Sequence, residues 1–143
     1  MSWDEKLWGA CKDGDLSLAQ TAVSHGAHIN YRDSVVGYTP LIRSVINNHP
    51  SITRYLLGWE QLNVNISDDI GWTVLHFIHD ETPPDIIKTI LDKSDTEVVN
   101  MKNSCNRTPL MEAVYCGQME VVRIYSEYPR FNWDKEELLK VAR

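Results

Sequence analysis

The residues best able to do chemistry here are histidines. His76-Phe77-Ile78-His79-Asp80-Glu81 sets two imidazoles one helical turn apart, the spacing of a metal-binding pair. Zinc needs three or four ligands, and the glutamate of an H-E-x-x-H motif is absent, so both rings are read as structural and no metal is expected. His25 and His28 straddle Gly26 at a helix end, where the helix dipole favours a cation without any further role. Cys11, Cys105 and Cys116 are an odd set with no C-x-x-C pair, which points to neither a disulfide framework nor a zinc knuckle and suits a reducing compartment. Cys116 has Tyr115 and Gly117 beside it and no adjacent histidine or acid; it and Cys11 are expected to pack inertly. The chain has no phosphate-cradling glycine loop and no G-x-S-x-G elbow, and Asp68-Asp69 and Asp80-Glu81 read as solvated faces. Without a nucleophile, base and oxyanion donor that converge, neither catalysis nor a cofactor is expected.

Charge narrows the partners. With 14 basic and 20 acidic residues the net charge is -6, so the chain repels nucleic-acid phosphates and anionic lipid headgroups. The opening MSWDEKLWGACKDGD does not read as a secretory signal, and no apolar run approaches membrane-spanning length. An intracellular, cytoplasmic or nuclear protein is expected. The sequons Asn65-Ile66-Ser67 and Asn106-Arg107-Thr108 carry no weight there.

The elements that hold these residues recur. GYTPL at 37–41, GWTVL at 71–75 and NRTPL at 106–110 place threonines at 39, 73 and 108, and Leu7 stands 34 residues before Leu41. Four units therefore share one register. Each continues as a short apolar helix, a break at Gly14, Asn48, Thr82 or Gly117, and a second helix: DLSLAQTAV, PSITRYLL, PPDIIKTIL or QMEVVRIY, with apolar residues at helical spacing. Thr39-Pro40 and Thr108-Pro109 put a capping hydroxyl before a proline whose missing N–H costs nothing in a first turn, and Thr82-Pro83 is expected to do the same for a second helix. After the second helices HGAHIN, LNVN and EVVN (97–100) read as extended. Gly37, Gly71 and Asn106 are types that tolerate the positive φ of a tight turn.

These features resemble the ankyrin repeat family, carried by Thr39-Pro40-Leu41, Thr73-Val74-Leu75-His76, Thr108-Pro109-Leu110, Ala113, Gly117, VVRIY and HGAHIN, over about Leu7 to Asn132. A tetratricopeptide array has helix pairs of similar period but no extended finger and no T-P-L-H signature. The resemblance implies a mainly α solenoid of stacked helix-turn-helix units with short β-hairpin fingers. The chain then divides into an N-terminal cap unit (1–32), repeats at 33–66, 67–101 and 102–132, and a C-terminal capping helix or the start of a further unit at 133–143. In that last segment Asp134 and Glu137 have capping-box spacing. The family's histidine at position 76 bonds within the repeat backbone. The third unit departs from the pattern at Val74, where the family has proline, and at Ile78-His79, where it favours two small alanines, so its first helix is expected to stand slightly away from its neighbours.

In the resembled fold the residue before each capping threonine lies on the fingers, on the concave side. That column reads Tyr38, Trp72, Arg107, the three types most enriched among interface hot spots. Val35, Ile70, Ile46 and Tyr115 flank it, and Asp69, Asp80 and Glu81 suit a partner with basic residues around an apolar anchor. The expected function is a non-enzymatic, monomeric module that binds a protein on this face; the alternative is a regulatory or substrate-recruiting domain of a larger enzyme. Truncating Trp72 is expected to cost binding and to leave folding nearly unchanged. Asn65, with Leu57 eight residues before it, resembles the pattern modified by the asparaginyl hydroxylase of ankyrin repeats and is a candidate for that modification.

Overall fold

The computed structural model describes residues 1–131. Its helices come in pairs: α1 (Trp3–Asp13) with α2 (Leu16–Ser24), α3 (Pro40–Ile46) with α4 (Pro50–Leu57), α5 (Val74–Phe77) with α6 (Pro84–Lys93), and, after a single turn α7 (Thr96–Val99), α8 (Pro109–Tyr115) with α9 (Met119–Ser126). The first members stack as a front layer, α1 on α3, α3 on α5 and α5 on α8, while α2 packs on α4 and α4 on α6 behind them. Leu7, Leu41, Leu75 and Leu110 form one fully buried column through the front layer. Burying each contributes about 1.5–3 kcal/mol. The proposed capping helix at 133–143 lies outside the described residues.

The front helices start as expected. The hydroxyls of Thr39 and Thr108 accept from the N–H of Ile42 and Met111, with proline in the first turn. Thr73 uses its backbone instead, donating its N–H to Nδ1 of His76 at 3.0 Å. Units are tied at a 35-residue interval by asparagines. Asn30 bonds the Gln61 carbonyl and the Asn63 N–H, Asn65 accepts from the Asp95 N–H at 2.8 Å, and Asn100 donates to the Arg130 carbonyl.

The fingers carry positive φ at Gly37, Gly71 and Asn106 as expected, but no strand forms among the described residues. A backbone bond closes each finger, Asp33 N–H to Tyr38, Asp68 N–H to Trp72 and Asn103 N–H to Arg107, and in the latter two the N–H groups of Gly71 and Asn106 also return to the carbonyls of Asp68 and Asn103. Neighbouring fingers join through Asp69 N–H to Val36 and Ser104 N–H to Ile70. Side chains replace the missing ladder, since Asp33, Asp68 and Asn103 each accept the N–H of the column residue with a side-chain oxygen.

Three expectations are corrected. The segments after the second helices are not extended: turns fall at 25–26, 29–30 and 64–65, and Thr96–Val99 makes the single turn α7. Thr82 does not cap α6: its hydroxyl accepts from the His79 N–H, and Pro83 stands at the N-cap with ψ 138, as a residue before proline must. The third front helix does not stand away; it packs on both neighbours but stops at Phe77, after four residues against seven in α3 and α8. The reason lies in the break column. Gly14, Asn48 and Gly117 turn the chain at φ 83, 56 and 69 after the other front helices. At the equivalent place Thr82 is β-branched and disfavours that left-handed turn. The chain instead leaves the helix early, at Ile78 with ψ 136.

Candidate functional site

Each capping threonine is extended, so the residue before it folds back along the first turn and meets the residue four past the cap, the geometry of a staple at a helix start. In the second unit the Arg43 guanidinium lies over the Tyr38 ring, 4.8 Å from its centroid. In the third, Trp72 stacks on Phe77 at 5.2 Å and 26°. In the fourth, Arg107 pairs with the buried Glu112 at 2.5 Å. Three chemistries thus occupy one position.

The staples join across units. Tyr38 meets Phe77 edge-on at 5.5 Å, Arg43 also lies over Trp8 of the first unit at 4.6 Å, and Trp72 Nε1 donates to Ser104 Oγ of the fourth finger at 3.3 Å. A stripe therefore runs from Trp8 through Arg43, Tyr38, Phe77 and Trp72 to Ser104, and Arg107 over Tyr115 at 3.9 Å extends the face. Trp8, Arg43 and Phe77 were not among the expected site residues; staple spacing from the threonines points to Arg43 and Phe77. Trp72 also packs on its own unit, so its truncation is no longer expected to leave folding unchanged.

The other expected residues divide into three groups. Val35 and Ile70 stand out on the finger tips, 82% and 58% exposed, and Tyr115 is 59% exposed. Asp69, beside them, pairs with Arg32 at 2.9 Å. Half-buried Ile46 and exposed Asp80 and Glu81 line one depression of about 530 Å³ with His79 and Gln118. A second, of about 210 Å³, lies beside Trp72, Phe77, Ile78 and Cys116 and shares His79 and Gln118 with the first. A shallow groove of about 520 Å³ lies between α1 and the first finger, along Trp8, Tyr31 and Val35.

Both candidate metal-binding rings are engaged. His76 Nδ1 accepts from the Thr73 N–H and Nε2 donates to the Arg107 carbonyl at 3.0 Å, tying the third unit to the fourth. Burial holds its pKa below the usual imidazole value, against the opposing pull of the Arg107 carbonyl, Glu112 and Asp68. His79 Nε2 bonds the Val45 carbonyl and Nδ1 accepts from the Glu81 N–H. His25 stacks on Trp3, and His28 bonds Asp4 by backbone and ring, which holds the Asp4 carboxyl below its usual range. Cys11 is buried and its thiol is pushed up to about 12 by desolvation. Cys116 is not a packing residue: it is exposed at the end of α8, with Sγ 3.7 Å from Glu112 Oε1. Asn65 is half-buried, and its amide serves the tie to Asp95.

Among the described residues no helix is long and apolar enough to cross a membrane. The family described as Ankyrin repeats (3 copies) matches residues 7–100. The chain is 25% identical over 116 residues to the phosphocholine transferase AnkX of Legionella pneumophila, covering 80% of this chain and 12% of that protein. It is 33% identical over 113 residues to a transient receptor potential cation channel subfamily A member 1 homolog of Caenorhabditis elegans, covering 76% and 9%. To a putative ankyrin repeat protein of Rickettsia felis it is 23% identical over 111 residues, covering 78% and 36%. The chain thus spans a minor part of the length of each of these relatives.

Proposed function

This chain belongs to the ankyrin repeat family, and on that premise we propose that it is a non-enzymatic recognition module whose fingers and front helices, the concave side of the stack, hold a protein segment. Ankyrin repeats are in general protein–protein interaction modules. The observation that carries the reading here is the continuous aromatic and guanidinium stripe from Trp8 to Trp72, laid across successive units with exposed Val35, Ile70 and Tyr115 along it. Folding alone asks for aliphatic staples; large planar side chains offer area at low entropy cost and are where interface energy concentrates. The partner is a protein, bound by a monomer in a reducing compartment that suits three free thiols.

A second reading, that the module regulates or recruits substrate for an enzyme, is favoured by the relative named as a phosphocholine transferase, of which this chain matches only 12%. In either case the same face makes the contact. The test uses a dodecapeptide selected from a random displayed library on the full chain. Tyr38→Ala and Trp72→Ala are each expected to weaken it by about 2 kcal/mol, while Lys88→Ala, on the exposed side of α6, leaves it unchanged. Equal binding by all three variants would sink the assignment.

A further inference from the structure

We propose that the interruption of the front layer at α5 is the seat of a basic partner segment, one apolar side chain entering beside Trp72 and a lysine or arginine one or two residues away lying against Glu81. The proposal rests on the reading that this face binds protein, and adds what the partner must carry. Because α5 ends at Phe77 and residues 78–82 turn across the gap, two adjoining depressions open where the other units have helix. They differ in character. The smaller is walled by Trp72, Phe77, Ile78 and Ala113, the larger by Ile46, two asparagines, Asp80 and Glu81.

Charge decides the occupant. No lysine or arginine lines either depression. Glu112, the acid in the smaller one, is already paired with Arg107. In the larger, Glu81 receives only the neutral amide of Asn48 at 3.2 Å, and Asp80 only the backbone N–H of Val121 at 3.3 Å. Two carboxylates thus stand on the rim with no cationic side chain paired to them among the described residues. The gap is held open rather than left to collapse: the Asp80 N–H donates to Gln118 Oε1 at 2.8 Å, and His79 bridges to Val45. An acidic or phosphorylated segment is repelled there; an apolar residue flanked by a cation satisfies both compartments.

The test sequences the dodecapeptides selected on the full chain and measures the best of them against wild type and Glu81→Gln, which keeps an acceptor for Asn48. Iodoacetamide labelling of Cys116, on the wall of the smaller depression, is followed beside that of Cys105 on the fourth finger. Expected are sequences pairing an apolar residue with lysine or arginine within two positions, about fivefold weaker binding and a flatter salt dependence in Glu81→Gln with an unchanged melt, and slowed labelling of Cys116 in the complex. Peptides without basic residues, indifferent to Glu81→Gln, or leaving Cys116 labelled at the free rate overturn the proposal. If Tyr38→Ala still weakens such peptides, the recognition face stands and only this seat is lost; if nothing is selected, both fall.

Discussion

Replacing Tyr125 by phenylalanine removes one oxygen from a fully buried ring, and the early end of α5 sets the cost. The Tyr125 hydroxyl donates to the Leu75 carbonyl at 2.7 Å, fifty residues away in the chain. In a longer helix that carbonyl would receive the N–H of His79, but the chain has left the helix at Ile78 and that N–H bonds Thr82 Oγ1. Burial pushes the phenol pKa well above its ordinary value, so the group stays a donor throughout the usable pH range. Losing the bond and stranding a buried carbonyl costs about 1–3 kcal/mol. For a domain of this size that is a fall in Tm of roughly 3–10 °C. Urea unfolding followed by circular dichroism gives the value directly, with an unchanged slope required before the midpoint is read as stability. Tyr128→Phe is the control: its hydroxyl reaches Asp92 at 3.4 Å in an exposed position, and the change should stay within about 0.5 kcal/mol. A Tyr125→Phe variant as stable as wild type would refute the reasoning, because the Leu75 carbonyl would then have another partner.

Three further outcomes are expected. Trp72→Ala should lose about 1–2 kcal/mol of folding stability with its stack on Phe77 and its bond to Ser104, while Trp72→Phe keeps most of it; equal urea midpoints for the two variants would show that the stack contributes nothing. His76 is held neutral by burial, so the unfolded chain binds its proton first as pH falls; that stability is fully present above about pH 6.5 and declines below it, at no more than about 1.4 kcal/mol per pH unit. His76→Gln should be less stable at pH 7 and show a flatter dependence from pH 7 to 5, and an identical slope in both proteins would contradict this. Gly37→Ala forces a side chain onto φ 80 and brings its Cβ within 2.6 Å of Asp69 Oδ1, costing about 1–2 kcal/mol, while Asn106→Gly should stay within about 0.5 kcal/mol; thermal melts of both check it.

Much of this fold is written locally and could be read that way. The threonines at 39 and 108 cap through their own hydroxyls, and the turn residues at 37, 71 and 106 adopt the positive φ their types allow. What escaped reading is of two kinds: local features that show only when the units are compared, and contacts to partners far away in the chain. No glycine or proline stands between Phe77 and Thr82 to mark an early helix end, and only the β-branched Thr82, compared with Gly14, Asn48 and Gly117, signals that the helix cannot close as its neighbours do. The Leu75 to Tyr125 bond and the Asp80 to Gln118 bridge have no local signature. Within the site, Tyr38, Trp72 and Arg107 were legible as a column, whereas Arg43, Phe77 and Glu112, each five residues further on, become their partners only when the chain folds back at the extended threonine. The charge of Arg107, the one cation of the column, is already used by Glu112.

Amide hydrogen exchange on the full chain, with and without a selected dodecapeptide, tests most directly whether the stripe is a recognition face. Slowed exchange in the three fingers and at residues 76–82, with α2, α4 and α6 unchanged, is the predicted pattern. Slowing confined to those three back helices, with the fingers exchanging as in the free protein, would contradict it.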